Sequence, residues 1–318
     1  TQTVSATLLP ILLALAGAMS QGLFRNPLAA PDLLGVSSGA VLGAVIGIAL
    51  LGGYGLNLWA NSSGLQSAAW NRWISVGIVP FCAFVGALTA AMAIYALATR
   101  QGLVSIPALL LTGLAVNSML GAMMAALHSL LLRDAEISRA IVAWTFGTLE
   151  DRTSFHLAVV WSGVVIALAS IPFVGLELDL LAGGEEDAAA LGADPARVKT
   201  LVLACVALST AASVAVTGLI AFIGLIVPHL MRIIVGPHHR ALLPVSFLAG
   251  AVLLLLVVVF QHAFCPFAAE KLAQAGLTML AAGIARVTSL QPGVLTSLLG
   301  APFFLYLLLR QGKRIRLW

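Results

Sequence analysis

Apolar runs long enough to cross a bilayer recur through this chain, separated by short polar breaks. They cover 7–24, 34–52, 74–98, 107–132, 155–176, 200–217, 219–235, 241–260 and 290–309. About 20 apolar residues in helical form cross the hydrocarbon core of a membrane. So many runs in 318 residues leave a soluble fold too little polar surface to cover itself. The composition agrees: 61% of residues are hydrophobic and 9% are charged, against about 25% charged in soluble domains. The runs are continuous rather than alternating, which argues against a β-barrel. The expected fold is an all-α polytopic membrane protein of about nine to ten transmembrane helices. It forms a single domain over 1–318, with no low-complexity linker and no short-period repeat. The amphipathic stretch 261–288 stays open as an interfacial helix, a re-entrant piece or an extension of its neighbours.

Orientation follows from the lysine and arginine bias of short loops. Arg25, Arg100, Arg197, Lys199, Arg232, Arg240, Arg310, Lys313, Arg314 and Arg316 fall on one side, ten residues in all. Arg72, Arg133, Arg139, Arg152, Lys271 and Arg286 make six on the other. The bias puts the C-terminal tail and residues 182–199 in the cytoplasm. Nine spans would then leave the N-terminus outside, so a preceding helix is expected to be missing, or the count is one short. The first apolar segment lacks a basic leader and is not read as a cleaved signal. The net charge of +4 is not gathered into a basic face, and nucleic acid is no expected partner. Cys82, Cys205 and Cys265 lie in or beside apolar runs without metal-ligand spacing, and read as small buried hydrophobes. Glycines at 39, 43 and 47, and at 113 and 121, are spaced for close helix packing.

One segment interrupts the apolar pattern. "GGEEDAAALG" at 183–192 follows directly on an apolar run. Gly183 and Gly184 break the preceding helix, and Glu185, Glu186 and Asp187 stand in the first turn of a new one, where carboxylates complement the helix dipole. Ala188, Ala189 and Ala190 favour helix, and Gly192 suits its C-cap. Asp194 is placed to N-cap a second short helix that starts at Pro195 and carries Arg197 and Lys199. A plain connection between spans needs only a few residues. Two capped helices outside the membrane instead suggest a docking element for a cytoplasmic partner.

Other stretches are weaker. In "QGLFRNPLAAPDLLGVSSGAVLG", Arg25 ends a span, Asn26-Pro27 turns, and Asp32 is near enough in sequence to pair with Arg25 across a cytoplasmic hairpin. Pro228 bends the run at 219–235, where His229 and Arg232 share a face, and the adjacent His238 and His239 form no metal pair. Gln21, Thr112, Asn117, Ser118 and His128 are polar residues inside spans, which lipid penalises; Gln21, Asn117 and Ser118 are the candidates for lining a translocation path. No span carries a central Asp or Glu for a proton relay, no catalytic arrangement is found, and no metal site is expected. If the chain carries out energised transport, the energy must come from another chain.

Four stretches stand in the order found in the membrane permeases of type II ABC importers: "QGLFRNPLAAPDLLGVSSGA", "GEEDAAALGADPARV", "GLIAFIGLIVPHLMRIIVGPHHRALLP" and "LLGAPFFLYLLLR". Over nearly its whole length the chain resembles the iron–siderophore, haem and vitamin B12 uptake permeases of the bacterial inner membrane. The resemblance implies a multi-pass, non-catalytic subunit that pairs with a second permease subunit, identical or homologous. It also implies a cytoplasmic ATPase pair that binds ATP and Mg, and a periplasmic substrate-binding protein; this chain itself would hold no cofactor. It places Glu185, Glu186, Ala188, Ala189, Gly192 and Arg197 where the coupling helices of such permeases meet the ATPase. Arg286 would correspond to an outward arginine that docks the binding protein, although Ala282 stands where the family carries Asp. The basic "RLPR"-like segment of the family is not found before the run at 7–24. Two other readings stay open at this point: a passive channel or ion-coupled carrier, and a structural subunit of an asymmetric pair.

Overall fold

The computed structural model describes residues 2–50, 68–100, 103–131, 135–147 and 154–311. Arg133, Arg152, Lys313, Arg314 and Arg316, used above for orientation, lie outside them. Among the described residues thirteen α-helices follow in chain order: α1 (Gln2–Leu23), α2 (Val36–Leu50), α3 (Ala68–Ala98), α4 (Ile106–Leu131), α5 (Ala135–Thr145), α6 (Ser154–Ala182), α7 (Glu185–Ala190), α8 (Pro195–Thr217), α9 (Ile223–Val235), α10 (His239–Val259), α11 (Cys265–Gln274), α12 (Thr278–Ala285) and α13 (Pro292–Gln311). A two-residue antiparallel hairpin, β1 (Thr99–Arg100) and β2 (Leu103–Val104), links α3 to α4. Among the described residues five helices are long and apolar enough to cross a membrane, or six if the bent pair α12–α13 counts as one. Three shorter apolar helices, Pro10–Leu23, Val36–Leu50 and Ile223–Val235, fall within the other runs expected from the sequence.

Two helices form the centre. α1 is flanked by α6, α8, α9 and α10, and Leu12, Leu15, Met19 and Leu23 are fully buried along it. α8 packs on α1, α2, α3 and α6, and 78% of its most apolar stretch is buried. Such close packing needs small residues, because apolar burial gives helices little drive to associate in lipid. A Cβ at Gly17 would overlap the Gly224 carbonyl, and α1 and α9 meet there. The glycines of α2 form a seam with α3: a Cβ at Gly39 would overlap the Gly86 carbonyl and one at Gly43 the Cys82 carbonyl. By contrast, only 11% of the apolar stretch of α4 is buried, so this helix edges the chain.

Three expectations need correction. The turn after α1 is more than a cytoplasmic hairpin. α1 closes with Arg25 at φ +47°, Asn26 N–H bonding to the Gln21 carbonyl, and the chain then folds back into the membrane as a one-turn 3₁₀ segment, Pro31–Leu34. There the Leu33 carbonyl occupies the space a Cβ at Gly113 would need, and Asn117 Nδ2 donates to the Asp32 carbonyl at 3.0 Å. Asn117 is the twelfth residue of α4, about 16 Å along it at 1.5 Å per residue, near the middle of a core about 30 Å thick. The run at 219–235 is not one span either: residues 218–222 are non-helical and α9 has 13 residues, too short to cross. Finally, Asp194 does cap a helix, its Oδ1 accepting from the Ala196 and Arg197 N–H groups, but that helix is the whole of α8 and not a separate short one.

The open stretch 261–288 resolves as an extension. α10 runs through a π-helical turn, Phe260–Phe264, into α11, giving one apolar helix of 36 residues from His239 to Gln274. α11 then turns at Gly276, φ +81°, and α12 packs back on it.

Candidate functional site

The acidic segment folds as the capping logic requires. Glu185, Glu186 and Asp187 fill the first turn of α7, and its end is a Schellman motif: Ala193 N–H bonds to the Ala188 carbonyl and Gly192 N–H to the Ala189 carbonyl, both at 3.0 Å. Gly192 takes φ +91°, where a side chain is strained, and nothing lies within 4 Å of the Cβ it lacks.

The two faces of α7 differ. Ala188 is 1% exposed and points inward, whereas Glu186, Asp187, Ala189, Ala190 and Gly192 face out, as does Leu191 at 71% exposure. Arg197, on the first turn of α8, is also exposed. Glu185 ties α7 to the rest of the molecule. Its Oε2 lies 2.6 Å from Lys199 Nζ on α8, and its Oε1 lies 3.9 Å from Arg25 Nη2 at the end of α1. Lys199 is only 5% exposed and spends a second donor on the Val104 carbonyl of β2, at 3.0 Å. A nearly buried ammonium with two oxygen partners is well satisfied. One ion-paired cluster thus joins α7, the N-terminal turns of α8, the end of α1 and the hairpin before α4. Arg25 pairs here, not with Asp32, whose carboxylate accepts a hydrogen bond from the Ser37 hydroxyl instead.

A second tie lies nearby. Asp179, on the last turn of α6, accepts from His239 N–H at 2.6 Å and Arg240 N–H at 3.4 Å, and its Oδ1 stands 2.9 Å from His239 Nδ1. It caps α10, whose own N-cap residue His238 offers no side-chain bond. His229 is buried edge-on to Phe303 and Arg232 donates to the Pro237 carbonyl, so this basic stretch serves packing and turn closure.

On the opposite side the π-turn aims Gln261 inward. Its Nε2 donates to the carbonyls of Val287, Thr288 and Leu290, at 3.4, 3.0 and 2.6 Å, which fixes the turn that begins at Arg286. Arg286 is exposed there. The three path candidates are not brought together. Gln21 is buried and donates to the Leu225 carbonyl of α9 at 3.2 Å, while Asn117 and Ser118 sit on the little-buried α4, with Ser118 exposed.

A family model described as the FecCD transport family matches residues 1–310. The chain belongs to that family. Among its relatives is the cobalamin import system permease protein BtuC of Halobacterium salinarum, 39% identical over 298 residues, which cover 93% of this chain and 68% of that protein. The hemin transport system permease protein HmuU of Yersinia pestis is 35% identical over 304 residues, 95% of this chain and 79% of that protein. A solved structure of a metal-chelate type ABC transporter, in an inward-facing conformation, overlays with a TM-score of 0.72 at 25% identity, covering 97% of this chain and 85% of that one. The resemblance to type II ABC importer permeases therefore holds, as does the all-α permease fold. As a member of the FecCD family the chain is a transport permease subunit rather than a catalytic one, in a multi-pass membrane arrangement.

Lys199, Asp179 and Gln261 were not read from sequence as functional positions. Lys199 and Gln261 each had one local signal, a polar residue beside an apolar run, but the carbonyl that Lys199 binds lies 95 residues away and those of Gln261 26 or more.

Proposed function

We propose that this chain is the membrane-spanning subunit of an ATP-driven importer that brings a metal chelate, haem or a corrinoid into the cytoplasm by alternating access. A second permease subunit completes the path, a cytoplasmic ATPase pair supplies the energy, and a substrate-binding protein delivers cargo from outside. Relatives named for cobalamin, hemin and Fe(3+) dicitrate transport support this range of cargo. ATP and Mg belong to the ATPase; this chain's part is mechanical.

The observation that carries the reading is the ion-paired anchorage of α7. A short helix whose outer face is free and whose inner face is fixed to α1, α8 and the α3–α4 hairpin suits a lever. Glu186, Ala189, Gly192 and Arg197 form the ATPase-contacting face, and Glu185 and Ala188 hold it from behind. Ser118 and Asn117 line the path and Arg286 meets the binding protein, with Gln21 bracing α1 on α9.

Cross-linking tests the contact. With Cys82, Cys205 and Cys265 replaced by serine, Leu191→Cys should cross-link to the ATPase subunit in the co-purified complex and should do so less when ATP turnover is blocked with vanadate. No cross-link in an assembled complex would remove α7 from the interface.

A further inference from the structure

We propose that the Asp32 carboxylate lines the translocation path half-way across the membrane and favours cationic and neutral cargo over polyanions; this rests on the path reading above. The depth is set by the contacts already described: Asn117 at mid-α4 holds the Asp32 carbonyl, and Gly113 receives that of Leu33. Asp32 is exposed in the single chain, its carboxylate accepts a hydrogen bond from Ser37, and it has no ion-pair partner among the described residues. An exposed carboxylate at that depth cannot face acyl chains; it must meet water or another polar surface.

The α4 residues beside that carbonyl contact agree. Ser118 follows Asn117 on α4 and is exposed, and one turn on Gly121 opens to empty space. Asp32 also borders a cavity of about 110 Å³, lined with Leu13, Pro31, Val214, Phe222 and Gly224, at which the half-helix α9 begins. A fixed charge in poorly polarisable surroundings acts over several ångströms. In an assembly of two such subunits the passing cargo meets one carboxylate from each.

The test uses the assembled importer with Cys82, Cys205 and Cys265 replaced by serine and Ser118→Cys introduced. Two methanethiosulfonates of equal size, one trimethylammonium and one sulfonate, are reacted with it in Asp32 and Asp32→Asn backgrounds. The cationic reagent should react faster, and the cation-to-anion rate ratio should fall at least about fivefold in Asp32→Asn. A ratio left within twofold would overturn the charge assignment while sparing the path. Labelling by neither reagent would overturn the path reading itself. Should Asp32→Asn fail to assemble, the Ser118→Cys ratio in the Asp32 chain, referenced to a small free thiol, reads the same potential; a ratio equal to the reference refutes the proposal.

Discussion

Lys199 holds two distant parts of the chain with one ammonium group. Breaking a fully buried ion pair costs about 3–5 kcal/mol, and an exposed pair is worth about 0–1 kcal/mol. The Lys199 side chain is 6% exposed and that of Glu185 43%, so Lys199→Met should cost about 1–3 kcal/mol. The measurement is the midpoint of thermal unfolding in detergent, which should fall by several degrees. Exchanging the two, Glu185→Lys with Lys199→Glu, should not restore it, because the carboxylate at 199 would face the Val104 carbonyl. Full recovery in the exchanged chain would mean that the carbonyl bond contributes nothing. The caps of this region were legible in the sequence: Asp194, the first-turn carboxylates and Gly192 all take the expected roles. Pairing was not. Arg25 seemed the natural partner of Asp32, seven residues on, but the re-entrant fold carries Asp32 into the membrane and leaves Arg25 beside Glu185. Such geometry has no local code.

At the scale of elements, glycine spacing was read correctly for one helix pair and only half correctly for another. Gly39, Gly43 and Gly47 do form the α2–α3 seam, and Gly113 does receive a backbone, but nothing approaches Gly121. Gly43→Ala should therefore destabilise the protein strongly, since its Cβ would overlap the Cys82 carbonyl. Gly121→Ala should be neutral or stabilise by up to about 1 kcal/mol through helix propensity. Melting of both variants checks the contrast. Gln261 gives a second prediction. Gln261→Leu removes the donor shared by three carbonyls, so amide exchange across residues 286–294 should speed up about tenfold or more, as about 1–3 kcal/mol of satisfaction is lost. Unchanged exchange would mean that the turn holds itself. Helix existence came readily from hydropathy. The half-length of α9 did not, because residues 218–222 are as apolar as a span and only tertiary packing decides that they leave the helix.

For the whole molecule, two surfaces matter to the proposed importer: the outer face of α7 and the thinly covered α4 with Asp32 and Ser118. The first was visible in the sequence as a polar interruption. The second was hidden, because its carboxylate lies in a loop rather than a span. If α7 is the lever, then distorting it must separate ATP turnover from movement of cargo. Gly192→Val forces a β-branched residue to φ +91°, a strain of about 1–2 kcal/mol confined to the end of α7. The decisive measurement is the ratio of cargo imported to ATP hydrolysed in proteoliposomes holding the complete importer, with and without that substitution. The account predicts a ratio at least about tenfold lower in Gly192→Val, with the complex still assembled and hydrolysing ATP, the factor corresponding to about 1.4 kcal/mol of coupling. An unchanged ratio in a fully assembled complex would contradict it.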